Sequence, residues 1–392
     1  MAILIIDMGK YVPNGENYNE SINLYKFLKD NHVDVDIHKY FYFDKPYYLK
    51  ETTLEEVKSK RYNLIISYSP LDFELIKDYI RNVEPSVPII FLDRYSFMGY
   101  FMDSQGLIDF NKREIKNNFK SIFSNIRYYF TMTDNDKDLV EQLFSGYNVE
   151  ALPMGIDLEK YQPRSKSSYN YYGGEKPILY FGRLNYKQNN FNVLLKAVKY
   201  IASNKDFIKN HKLIIDISLS GEDEKLVFSS INKNGLGEYF RSVPLLPDND
   251  YKNYISSHLF GVSVPNKYID MKSVLIMMSA GLPVLIGSNF NKKVIPSHAV
   301  KYKFYNGEVD IGTQIVRDTW NGLFYNKDDY IDLGEKIMLM MSMDISDMRT
   351  NSIATAKNFS IKSYYVNIYR AVNDILSTTE QTKEKEINQI KS

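Results

Sequence analysis

Lys272 and Ser273 stand just before an apolar run, Val274-Leu275-Ile276-Met277-Met278-Ser279-Ala280, that ends at Gly281. The run reads as a helix. Ser273 suits its cap, because a serine hydroxyl accepts from the orphan N–H groups of a first turn. Gly281 suits the C′ position that closes a helix. Residues 262–264, Val-Ser-Val, read as the end of a buried strand; residues 266–272 are mostly polar and read as a loop. Pro283-Val284-Leu285-Ile286 restarts a strand, which Gly287-Ser288 stops. This order sets a helix N-terminus at the carboxyl end of a strand. There, free N–H groups and the helix dipole both favour an anion, and the phosphate of a nucleotide is the obvious one. The competing reading of Lys272 and Ser273 is a surface lysine and a plain cap.

The rest of the chain reads as a frame for such a site. Residues 3–6 are all apolar, as in a strand buried on both faces of a parallel sheet. Asp7-Met8-Gly9 and Pro13-Asn14-Gly15 form a loop, and residues 18–31 form a helix with Ile22, Leu24, Tyr25 and Leu28 inward. Further strands are expected at 33–38, 64–67, 87–92, 126–131 and 149–152, with helices between most of them. Residues 158–177, with Pro163, Ser167-Ser168 and Gly173-Gly174, read as a linker. The alternation then resumes: strands at 178–181, 212–219 and 260–264, helices at 191–202, 330–341 and 360–376, and a short strand or turn at 321–324. In the last helix Tyr364, Ile368, Val372 and Ile375 share a face. Residues 378–392 are polar and read as a frayed tail. Repeated strand–helix alternation argues for a doubly wound α/β architecture.

Composition narrows the chemistry. A chain of 392 residues with 44% hydrophobic and 25% charged residues suits a soluble protein of two domains. Lys and Arg number 49 against 48 Asp and Glu, so no global charge draws it to nucleic acid or to an anionic membrane. There is no cysteine, which excludes disulfides and thiolate metal sites. Five scattered histidines without an H-x-x-x-H pair speak against a histidine metal site. Met1 to Ile6 runs straight into Asp7, as a first strand and not a signal peptide. No apolar run reaches the ~18 residues of a membrane span. The expectation is a cytoplasmic protein, peripheral to the inner membrane face at most. Lys112, Arg113, Lys116, Lys120 and Arg127 interleave with Phe110, Phe119, Phe123 and Tyr128. That pattern fits either a surface for DNA, a polyanion or a membrane, or an amphipathic helix with its apolar side packed.

Several stretches line up in order with one family. Tyr180-Phe181-Gly182-Arg183-Leu184-Asn185-Tyr186-Lys187, with Leu194-Leu195-Lys196-Ala197, resembles the GRL…K…LL.A segment of retaining GT-B glycosyltransferases of the glycogen-synthase-like group (GT4). Met154-Gly155-Ile156-Asp157 resembles its NGID entry, and Ala280-Gly281-Leu282-Pro283-Val284 its AxGxPV. Asn321-Gly322-Leu323-Phe324 with Asp328 is similar to its NGLLF…D, and residues 359–369 to its last helix. The matches run from about residue 150 to 370, and the group includes phage DNA α-glucosyltransferases.

The resemblance implies two Rossmann-like domains facing a cleft: residues 1–160 with a crossover helix at 360–377 for the acceptor, residues 174–358 for a nucleotide-sugar, and a flexible tail at 378–392. It implies a UDP-sugar donor, no permanent cofactor and no required metal. Arg183 matches the arginine that meets the diphosphate, and Lys187 is its nearest partner. Gly182, Gly221 and, loosely, Gly9 fall at donor-side turns, and Val243-Pro244-Leu245 at a segment facing the base. The family's pair of glutamates, E-x7-E, is missing. Its ribose-binding member falls at Ile276 and its first member at Tyr268, with Asp270 nearby to replace it. In the N-terminal half, Asp93 is the candidate to orient the sugar or act on the acceptor, and Arg94 and Tyr95 to bind the acceptor; a cap and a salt bridge are the plain alternative. The acceptor is a glycan, a protein, a lipid or modified DNA, and a second copy of the chain is an open partner. The main alternative is a degenerate subunit that binds without catalysis; a relative that epimerises a nucleotide-linked sugar is the third.

Overall fold

The computed structural model describes residues 2–7, 20–39, 52–68, 72–93, 121–132, 137–138, 140–141, 148–162, 177–182, 190–218, 223–243, 251–265, 271–288 and 315–391. It divides into two compact units, Met1–Met154 with Lys362–Ser392, and Gly155–Ile361.

The first unit is built on strands β1 (Ala2–Asp7), β2 (Asp34–Lys39), β3 (Leu64–Ser67), β4 (Ile89–Leu92), β5 (Ile126–Thr131) and β6 (Asn148–Ala151). They form one sheet in the order β2-β1-β3-β4-β5-β6, parallel throughout. Ile5 lies beside Ile37 on one side and Ile66 on the other. The central strands β1, β3 and β4 are buried along their whole length, whereas the edge strand β2 alternates buried and exposed. That is the expected difference between strands covered on both faces and an edge. Helix Glu20–Asp30 buries Ile22, Leu24 and Leu28 against the sheet, while Tyr25 is only partly covered. The last helix, Ile361–Lys391, buries Tyr364, Ile368, Val372 and Ile375. Tyr365 and Tyr369 pack on Phe27, and Asp374 accepts from the Tyr128 hydroxyl at 2.8 Å. Residues 378–391, expected to fray, continue this helix. They are rich in Glu, Lys and Gln, which propagate a helix well even without an apolar stripe.

The second unit carries β7 (Ile178–Phe181), β8 (Ile215–Ser218), β9 (Phe240–Val243), β10 (Gly261–Ser263), β11 (Val284–Ser288) and β12 (Gly322–Asn326). Their order is β12-β11-β10-β7-β8-β9, again all parallel. Helix Phe191–Ser203 packs on helix Tyr330–Ser342 over one face. The core joins Tyr180, Phe191, Leu194, Val262, Leu285 and Ile337. The sequence reading contains neither strand β9 nor helix Ser346–Ala356, and four further details differ from it. Helix Met271–Ser279 starts two residues before Ser273, so Ser273 is a first-turn residue and not the cap. Strand β11 runs through Gly287 to Ser288, because Gly287 and Ser288 pair with Tyr325 and Asn326 of β12. The strand expected at 212–219 is confined to Ile215–Ser218. The expected linker opens with a turn of helix, Leu158–Tyr161, capped by Asp157.

Candidate functional site

Counting outward from the middle of the second sheet, β7, β8 and β9 step one way while β10, β11 and β12 step the other. The chain therefore reverses its direction of winding between β7 and β10. In open parallel sheets the crevice outside the carboxyl ends of such a strand pair is where ligands bind. Strand β7 ends at Phe181, and Gly182 follows with φ 148°, a conformation closed to side-chain-bearing residues. Strand β10 ends at Ser263. The Ser263 carbonyl accepts from the Tyr325 hydroxyl at 3.2 Å, and the Val264 carbonyl accepts from the Asn190 backbone N–H at 2.8 Å. Burial, with Asp328, Tyr180 and Asp332 adding to it, holds the Tyr325 phenol well above its ordinary value, so it stays a donor.

Helix Met271–Ser279 starts on this edge. Every residue in it is buried except Lys272, which is half-buried. Its far end closes as the sequence suggests: Gly281 has φ 83°, its N–H donates to Met278, and the Leu282 N–H donates to Met277, both at 2.9 Å. That pair of bonds is the Schellman closure. The near end presents the N–H groups of the first turn, with Lys272 and Ser273 beside them. Ile276 is 5% exposed, a buried aliphatic where the resemblance has a carboxylate. Asn321, in the NGLF stretch, is fully buried and its amide is committed: it donates to the Ile315 carbonyl and the Thr355 hydroxyl and accepts from the Arg317 N–H. It ties a turn. Arg183, Lys187, Gly221, Pro244, Leu245, Tyr268 and Asp270 lie outside the described residues.

In the first sheet the reversal lies between β1 and β3. Asp7 closes β1, and its Oδ2 accepts from the Lys39 ammonium and the Ser21 hydroxyl, each at 2.5 Å. Lys39 is 1% exposed, so this ion pair is a buried one. Asp93 follows β4. Its N–H donates to the Phe130 carbonyl and its Oδ2 accepts from the Tyr129 hydroxyl, both at 2.8 Å. The neighbouring strand thus fixes the orientation of a buried carboxylate on the carboxyl edge. Gly9, Arg94 and Tyr95 lie outside the described residues, as do residues 110–120 of the basic–aromatic stretch. Within its described part Phe123 is buried in the core and the Arg127 guanidinium donates to the Ser124 carbonyl. Burial and the Asp374 carboxylate push the Tyr128 phenol up to about 12.

A polar cluster that the sequence reading did not single out lies under the second sheet. Asp216 of β8 is 3% exposed and accepts from Arg241 Nε at 2.6 Å and Nη2 at 3.0 Å. His258 Nε2 lies 3.1 Å from Asp216 Oδ2, and the Tyr254 hydroxyl donates to the same oxygen at 3.2 Å. Burial alone would raise the Asp216 carboxyl; the hydrogen bonds from His258 and Arg241 outweigh it and hold the group below its ordinary 3.8. Beside it the buried Arg349 donates to the carbonyls of Ser256, His258 and Leu259 at 2.7 to 2.9 Å. The legible signal was a carboxylate inside the apolar run Ile214-Ile215-Asp216-Ile217. Among the described residues no three His, Asp or Glu side chains gather as a metal site. No described helix is long and apolar enough to cross a membrane.

No family model matches the chain, and no curated protein matches it by sequence. Solved structures do match. Sucrose-phosphate synthase from Thermosynechococcus elongatus superposes with a TM-score of 0.68 at 13% identity, over 96% of this chain and 99% of that one. HepE from Anabaena, in complex with UDP and glucose, gives 0.65 at 12% identity over 95% and 99%. The lipopolysaccharide outer core galactosyltransferase WaaB, in its apo form, gives 0.62 at 11% identity over 95% and 99%. The fold is that of the GT-B glycosyltransferases, with two Rossmann-like domains.

Proposed function

We propose that this chain transfers a hexose from a nucleoside-diphosphate sugar, a UDP-sugar first among them, to an acceptor hydroxyl with retention of configuration. The observation that carries the reading is the strand order of the second sheet, which brings Gly182 and the start of helix Met271–Ser279 to one reversal point. The complex of HepE with UDP and glucose supports UDP as the nucleotide to test first. In the proposed reaction the bond from the anomeric carbon to the β-phosphate oxygen breaks. A bond to the acceptor oxygen forms on the same face, and the acceptor proton passes to the leaving phosphate. The step asks for positive field at the diphosphate and for no separate base. Arg183 and Lys187 are assigned to that field, with Lys272, Ser273 and the helix N-terminus. Gly9, Gly182, Gly221 and Asp270 are assigned to the donor's surroundings. Asp93 is assigned to the sugar hydroxyls, and Arg94 and Tyr95 to the acceptor. The proposal needs no metal, puts the reaction in the cytoplasm, and leaves the acceptor open among glycan, protein, lipid and modified DNA.

One observation favours a second reading. Ile276 offers no hydrogen bond to a ribose hydroxyl, as expected of a subunit that binds an acceptor without turnover. A thermal-shift titration with UDP and UDP-glucose, on wild type and Arg183→Ala, separates the readings. Ligand at about 100 times its Kd adds about 2.7 kcal/mol. In a unit of about 200 residues that raises Tm by about 5–11 °C. The donor reading expects this shift in wild type only, together with Arg183-dependent hydrolysis or transfer. Binding without turnover selects the second reading, and no shift with any nucleotide sugar refutes the first.

A further inference from the structure

Asn190 is the residue before helix Phe191–Ser203. Asparagine there normally turns its side-chain oxygen onto the N–H groups of the first turn. Asn190 makes no such bond. Its side-chain amide donates instead to Asp328 Oδ1 at 2.8 Å, across 138 positions of sequence. Its backbone N–H holds the Val264 carbonyl, next to the Ser263 carbonyl held by Tyr325. Two successive carbonyls at the exit of β10 are therefore fixed from two sides. Asp328 has φ 68°, a left-handed conformation that costs energy in a residue with a side chain. Helix Tyr330–Ser342 does not need it as a cap, because Asp329 accepts from the Ile331 and Asp332 N–H groups. The left-handed turn sets the Asp328 carboxylate against the Asn190 amide.

We propose that Asn190, through Asp328 and Val264, is the positioning residue of the β7–β10 crevice. It ties the start of one helix, the exit of β10 and the turn after β12 into one frame, so that a nucleoside diphosphate meets walls already set. This rests on the nucleotide-sugar reading and names the residue that prepares its donor side. The Asn190–Asp328 bond is charge-assisted but exposed, so its loss should weaken binding severalfold and leave global stability nearly intact.

The test compares wild type, N190D and N190D/D328N, with UDP as the probe in calorimetry, Tm by thermal melt, and hydrogen exchange of the Asn190 amide. N190D sets two carboxylates against each other. It should weaken UDP binding about tenfold, move Tm by less than about 2 °C, and speed exchange of that amide. The double variant exchanges donor for acceptor and should bring affinity back to within about threefold of wild type and slow the exchange again. UDP affinity unchanged in N190D, a double variant as weak as N190D, or a loss of affinity matched by a large fall in Tm would each overturn the proposal. Wild type that binds no nucleotide would instead sink the donor reading. In that event the exchange data alone decide whether the frame exists: restored protection in the double variant supports it, and an amide indifferent to N190D overturns it.

Discussion

Replacing Asp216 by alanine removes the acceptor shared by Arg241, His258 and Tyr254. The Arg241 side chain is 44% exposed and can turn into water, so little of its attraction counts toward stability. His258 is fully buried and cannot. An orphaned buried donor costs roughly 1–3 kcal/mol, and breaking a buried pair costs about 3–5 kcal/mol. With the arginine discounted, Asp216→Ala should cost about 3 kcal/mol. For a unit of about 200 residues that is a fall of about 6–12 °C in Tm. The assay is urea and thermal unfolding followed by circular dichroism at several pH values. The sign with pH is set by the depressed Asp216 carboxyl. Its contribution is complete above the ordinary carboxylate value and is lost as pH falls toward the lower folded value. The gap between wild type and Asp216→Ala should therefore be full at neutral pH and shrink below about pH 4. A cost under about 1 kcal/mol, or a gap that does not change with pH, would refute the reasoning.

Two further outcomes follow from close packing. Arg349→Met strips three hydrogen bonds from the carbonyls of Ser256, His258 and Leu259 and should cost about 2–4 kcal/mol in urea unfolding; Arg349→Lys should recover less than half, since an ammonium lacks the planar fork. Gly155→Ala would bring a Cβ to 2.5 Å from the Ile361 Cα and 2.7 Å from the Ser360 carbonyl oxygen. Because both neighbours are backbone, the strand-like pairing of Ile156 with Ser360 must shift. The expected cost is about 1–3 kcal/mol or more, read as a lower urea midpoint, and a variant as stable as wild type would show that this crossing has slack.

Local residue pattern was enough to read most of the strands and the longer helices, but not β9 or helix Ser346–Ala356, which carry too few apolar residues to announce themselves. Residues 64–67, 126–131 and 178–181 are rich in apolar and aromatic side chains, and they form β3, β5 and β7 with those limits. Gly281 announced the end of its helix, because a left-handed residue there is a local requirement. The helix carrying Tyr364, Ile368, Val372 and Ile375 was legible from its period, whereas its extension to Lys391 was not, since a stretch with only Ile387 and Ile390 as apolar residues carries no sustained period. Lys272 and Ser273 were legible as a helix start, though not that Met271 precedes both inside the first turn. The strand order, and with it the reversal between β7 and β10 that defines the crevice, is a property of the folded sheet. The tertiary structure alone joined Asn190 to Asp328, Asp216 to His258 and Asp7 to Lys39. Periodicity reports which face of an element is buried. It does not report which element lies alongside, and a hydrogen bond between residues far apart in the chain exists only once the sheets have fixed that neighbour.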